Sequence, residues 1–162
     1  LIMKIIKNDN IMDKSEKLFI IISILGLFPF IIGLLDLLIN KNDLFFLVNL
    51  PKYYGSIILT FLGAIYWGAM LNLPSKSFIP EKIKFFIIIW SVFPSILGIT
   101  VLSINSNLSL LMLSLGFLLC QLVDEIFNKY LSFPNWYLPL RRILTLIVVI
   151  VLICSYFIIQ TP

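Results

Sequence analysis

Uninterrupted apolar runs, rather than alternating apolar and polar positions, dominate the chain. Residues 18–39, 54–73 and 85–104 each supply the roughly 20 apolar residues that a helix needs to cross a hydrocarbon core of about 30 Å. Two further runs, 108–123 and 143–159, are shorter and are completed by flanking residues that snorkel or lie in the interface. A helix or strand of a water-soluble domain would interleave polar residues at its own period, whereas these runs are apolar on every face. The pattern predicts an all-α integral membrane bundle of five transmembrane helices, with four spans as the rival count. Residues 1–17 are expected to form a cytoplasmic N-terminal segment, and 18–162 a single five-helix transmembrane domain.

Composition agrees. Apolar side chains make up 60% of the chain and charged ones 12%, far below the roughly 25% charged content of an average soluble domain. Between the runs stand short polar segments at 40–43, 74–77, 105–107 and 132–135, none long enough to fold separately. No internal repeat is visible, and five spans cannot divide into the equal inverted halves of many secondary transporters. The first run is too long for a signal-peptide core, lacks a small-x-small cleavage site, and is read as a retained signal anchor. The start Leu1-Ile2-Met3 leaves Leu1, Met3 and Met12 all open as the true first residue.

Charge sets the expected orientation. Lys4, Lys7, Lys14, Lys17, Lys76, Lys82, Lys84, Lys129, Arg141 and Arg142 fall on one side of the spans, and only Lys41 and Lys52 on the other. Lysine- and arginine-rich loops are retained in the cytoplasm, so the N-terminus is expected inside and the C-terminus outside. The net charge of +4 is spent on this asymmetry. No basic patch interleaved with aromatics lies on a soluble segment, and no nucleic-acid partner is expected. Histidine is absent, and Cys120 and Cys154 both lie inside apolar runs. That leaves no metal site and no cofactor to propose.

Helices in lipid associate through small residues and scattered polar contacts. In the second span Ser56, Thr60, Ala64, Gly68 and Asn72 recur every four residues, with Gly55, Gly63 and Trp67 on the adjoining stripe. This places the second span at the centre of the bundle, as its most enclosed helix. In the third span Trp90, Pro94 and Gly98 share a face, and Pro94 is expected to kink the helix. In the fourth, Gly116, Cys120 and Asp124 follow at four-residue spacing.

Charges within spans are costly and either pair or act. Asp36 shares a face with Gly26, Pro29 and Gly33 and is expected to pair with Lys52 or Lys41. Asp124 and Glu125 close the fourth span on the side where Arg141 and Arg142 open the fifth. A carboxylate against a guanidinium at a helix hairpin reads as a structural clamp before it reads as a catalyst. Tyr53, Tyr54, Trp136 and Tyr137, at span ends, read as an interfacial aromatic belt.

The stretch Tyr54-Gly55-Ser56-Ile57-Ile58-Leu59-Thr60-Phe61-Leu62-Gly63-Ala64-Ile65-Tyr66-Trp67-Gly68 resembles the signature of an uncharacterised family of small membrane proteins. That family, a domain of unknown function, is found in proteobacteria and, as transmembrane protein 69, in mitochondria. Leu25-Gly26-Leu27-Phe28-Pro29-Phe30, Trp90-Ser91-Val92-Phe93-Pro94-Ser95, and Pro134-Asn135-Trp136-Tyr137 followed by Leu140-Arg141 and Leu144-Thr145 are similar to the same pattern, in order along nearly the whole chain. Relatives tend to carry a histidine or another basic residue where this chain has Tyr66, which argues against a proton relay there. The resemblance implies an architecture and a compartment, not an activity.

No nucleophile with a positioned base, phosphate-cradling loop or metal motif is visible, and no catalytic residue is assigned. The leading expectation is a non-enzymatic accessory or assembly protein of a larger membrane complex. Two alternatives remain: a small transporter or channel, and a membrane enzyme or binding protein for an apolar substrate such as lipid or quinone. The abundance of Ile, Lys, Asn and Phe fits an A+T-rich bacterial genome. The expected compartment is the bacterial inner membrane, or the mitochondrial inner membrane for a eukaryotic source.

Overall fold

The computed structural model describes residues 13–39, 45–73, 78–104, 106–131 and 133–160, and every regular element among them is an α-helix. The helices are α1 (Lys14–Leu25), α2 (Phe28–Ile39), α3 (Phe45–Leu71), α4 (Glu81–Ser103), α5 (Leu108–Leu131) and α6 (Tyr137–Gln160). Joined as Lys14–Ile39, α1 and α2 make one span; Asn49–Leu71 of α3, then α4, α5 and α6 make four more, all long and apolar enough to cross a membrane. The chain is a multi-pass, all-α membrane protein.

The first span opens with a capping box, in which Asp13 accepts the Lys14 N–H at 2.6 Å and Glu16 accepts the Asp13 N–H at 3.2 Å. The Ser15 hydroxyl and the Lys14 N–H hold the exposed Asp13 carboxyl below its ordinary value. Midway, the helix breaks at Gly26 and Leu27. Pro29 has no N–H for the Leu25 carbonyl and its ring crowds that group, while Gly26 makes the distortion cheap. The Leu27 N–H bonds the Ile24 carbonyl instead, at 3.0 Å.

The expected kink at Pro94 takes a different form. Helix α4 runs unbroken through Pro94, whose ring is buried against α3 at Gly63. A Cβ added to Gly63 would run into the Ser91 carbonyl, and one on Gly98 would stand 2.9 Å from the Ser56 carbonyl. Helices α3 and α4 therefore meet backbone to backbone at two glycines, the most extensive pairing in the bundle. Gly116 of α5 instead leaves room for side chains, those of Leu59 from α3 and Leu97 from α4, which a Cβ there would run into.

The expectation that α3 is the most enclosed helix is corrected. Half of the most apolar window of α5 is buried (50%) against a third of that of α3 (33%). On α3, Ser56 is buried, but Thr60, Ala64 and Gly68 are exposed, as is Asn72 just past the helix end. The buried stripe is Gly55, Leu59, Leu62, Gly63 and Tyr66. Four residues turn a helix by about 400°, so a strict four-residue stripe advances about 40° per step and winds round to the opposite side. Steps of four, three and four, as at positions 55, 59, 62 and 66, stay on one face.

Candidate functional site

Polar chemistry gathers where α3, α5 and α6 meet at the lysine- and arginine-rich end. Asp124, 2% exposed, stands one turn beyond Cys120 and two beyond Gly116 on the inward face of α5. The Tyr66 hydroxyl, on the buried face of α3, donates to Asp124 Oδ1. Arg141 of α6 sets Nε 3.1 Å from Asp124 Oδ2, an ion pair with both side chains more than nine-tenths buried. The Tyr137 hydroxyl reaches the same oxygen at 3.5 Å. One carboxylate thus joins three spans.

Around this pair the contacts continue outward. Arg141 Nη1 donates to Thr145 Oγ1 at 3.1 Å, and Thr145 Oγ1 lies 3.4 Å from Gln121 Oε1. Gln121 Nε2 donates to Glu125 Oε1 at 2.9 Å. Arg142 holds Glu125 in a two-pronged grip, Nε to Oε1 at 2.6 Å and Nη2 to Oε2 at 2.7 Å. This outer pair is exposed on the arginine side, so it contributes little beside the enclosed inner one. Aromatic rings wall the cluster: Phe127 and Phe133 meet the Tyr66 ring edge-on at 6.0 and 6.3 Å.

The structure brings Asp124 and Arg141 together and gives Arg142 to Glu125. Asp36 is buried but lies apart. It stands two turns past Phe30, which packs edge-on against Phe117, while Asp124 stands two turns past Phe117 the other way. At about 1.5 Å per residue that separation is about 20 Å. Lys52 Nζ donates to the Ile104 carbonyl at 2.6 Å, just past the end of α4, where the helix dipole favours a cation. Lys41 lies outside the described residues.

Of the packing residues, Gly55, Ser56, Gly63 and Pro94 are enclosed. Trp90 is partly buried and stacks on Phe93 at 5.2 Å. Thr60, Ala64, Trp67 and Gly68 are exposed. Trp67 is 53% exposed, and a Cβ on Gly68 would meet nothing within 4 Å. A groove of 220 Å³ beside them is lined by Trp67, Met70, Leu71, Ile88 and Ser91. Two residues of the expected aromatic belt turn inward: Tyr54 packs on Phe30 at 5.4 Å, and Tyr137 joins the polar cluster.

Tyr66, Gln121, Tyr137 and Thr145 are the cluster members that reading the chain alone does not assign to it. The signal for Tyr66 was available, since it falls eleven residues after Gly55 on the face shared with Leu59 and Leu62. Its aromatic type within an apolar run concealed its hydroxyl. Thr145 stands one turn after Arg141, where a hydroxyl in lipid ordinarily bonds its own backbone.

The described His, Cys, Asp and Glu residues form no group of three or more placed to hold a metal. The arrangement can fix three helices against one another and set a buried carboxyl group against a guanidinium. No curated protein and no solved structure matches the chain. A family profile does, over residues 15–157, nearly the full length and all five spans. The chain belongs to the family described as protein of unknown function DUF3429.

Proposed function

We propose that this protein is a non-enzymatic accessory or assembly subunit that seats a transmembrane helix of a larger membrane complex on the outer face of α3. The observation that carries the reading is the small pair Ala64 and Gly68, which the protein's own bundle leaves exposed, whereas Thr60 one turn earlier sets its hydroxyl near Gly98 of α4. Leucine against lipid tails is as well placed as leucine against another helix, so glycine and alanine on an outer face gain nothing from lipid. Gly68 in a helix costs about 1 kcal/mol relative to alanine. A second helix approaching closely over Gly68, with side chains entering the groove beside Trp67, would offset that cost through packing.

The orientation follows the lysine and arginine bias, with the N-terminus in the cytoplasm. The compartment is the bacterial inner membrane, or its mitochondrial counterpart in a eukaryotic source. Purification of the tagged protein from its own membranes in mild detergent tests the reading. A partner is expected at fixed stoichiometry with the wild type and lost with Gly68→Leu. A lone wild-type chain, or a partner retained by both Gly68→Leu and Ala64→Leu, overturns it. A second copy of this chain in the partner's place would replace the complex by a homodimer.

A further inference from the structure

A second feature of the polar rim is independent of the docking face. Between the break in the first span, α3, α5 and α6 lies a cavity of 240 Å³. Along α3 it runs from Tyr54 to Ile65, about 16 Å at 1.5 Å per residue. Its walls are apolar over most of that length, and its mouth opens toward lipid between Ile22 and Phe61, which are 57% and 64% exposed. The polar end is formed by Tyr137, Arg141 and Thr145.

Arg141 is unfinished at that end. The residue is 8% exposed, Nη1 is bonded to Thr145, and Nε meets Asp124 as an ion pair without an aligned hydrogen bond; the buried Nη2 also has no aligned partner, although the Tyr137 hydroxyl interacts with the guanidinium. Buried donors in folded proteins are almost always satisfied, and a guanidinium N–H in a dry site is among the costliest to leave unmade. The cavity beside it is where an acceptor would come from.

Charge balance selects the kind of acceptor. Asp124 already neutralises Arg141, and Glu125 neutralises Arg142. An anionic head group would leave a net negative charge enclosed next to Asp124, an unfavourable state in low dielectric. A neutral carbonyl oxygen satisfies Nη2 and adds no charge. The length and narrowness of the cavity call for a single chain behind that head.

We propose that this cavity binds a neutral single-chain lipid, whose carbonyl oxygen accepts a hydrogen bond from Arg141 Nη2 while its tail lies along α3 toward Tyr54. An acyl ester and an isoprenoid quinone share this chemistry. Leu144 lines the cavity and is only half-buried, so Leu144→Trp fills the slot without touching the ion pair.

The full chain is placed in nanodiscs of diether phospholipid, which carry no ester carbonyl to compete. Equilibrium binding is then measured for monooleoylglycerol, decylubiquinone, oleate and hexadecane. Saturable one-to-one binding of at least one carbonyl probe is expected, with oleate and hexadecane at least ten-fold weaker. Leu144→Trp should weaken the carbonyl probe at least ten-fold while the protein's unfolding temperature stays unchanged. Whichever carbonyl probe binds more tightly identifies the source as ester or quinone. The proposal is overturned if neither probe saturates, if Leu144→Trp leaves binding intact, or if oleate or hexadecane binds as well.

Discussion

The Tyr66 hydroxyl in α3 donates to the carboxylate of Asp124 in α5, and on its other oxygen the same carboxylate meets Arg141 of α6 at 3.1 Å. These residues lie 58 and 17 positions from Asp124 in sequence, so the contact closes the bundle rather than decorating one hairpin. Breaking one side of a buried ion pair strands the other charge. Asp124→Ala should therefore lower stability by about 3–5 kcal/mol, measured by denaturation in detergent. The exchange of Asp124→Arg with Arg141→Asp should recover part of that loss. A loss under 1 kcal/mol for Asp124→Ala would show that the pair is not a clamp.

Tyr66→Phe keeps the ring between Phe127 and Phe133 and removes only the donor to Asp124. Hydrogen bonds to charged groups are worth about 1.5–3 kcal/mol, and the expected loss lies in that range. Unchanged unfolding in Tyr66→Phe would mean that Arg141 and Tyr137 suffice for the carboxylate.

Two glycines of α3 should respond in opposite ways. Gly63→Ala places a methyl against the Ser91 backbone and should cost about 1–3 kcal/mol by forcing α3 and α4 apart. Gly68→Ala meets open space and should leave the isolated protein unharmed, or stabilise it by about 1 kcal/mol through helix propensity. Equal effects at the two sites would contradict the packing described.

How far the residues disclosed this arrangement differs from one feature to the next. Five spans were legible because helices hydrophobic on every face leave no competing period. The ends were less so: α5 and α6 run about two turns past their apolar runs, carrying Asp124, Glu125, Arg141 and Arg142 inside the helices. Pairing Asp124 with Arg141 could be anticipated because both lie at the same rim. Which arginine went inward could not, since neighbouring positions point about 100° apart and only the packed partner decides. A four-residue repeat of small side chains points to the wrong face of α3, because such a repeat winds round the helix instead of running straight along it. Tyr66 shows the converse: its ring fits the apolar run, while its hydroxyl carries the contact of α3 with Asp124.

Orientation has its own check. Alkaline phosphatase fused after Pro162 should be active and a cytoplasmic reporter at the same position silent, as five spans from a cytoplasmic N-terminus require. The opposite pair of results would invert the topology or remove a span.

The proposal that α3 presents a seat for another helix is tested most directly by photo-crosslinking in native membranes. A benzophenone side chain replaces Gly68, of the exposed small pair, or Leu146, which is 61% exposed on the outer face of α6. One discrete protein adduct is expected from position 68 and only lipid adducts from position 146. Lipid adducts alone from position 68, or the same protein adduct from both positions, would contradict it.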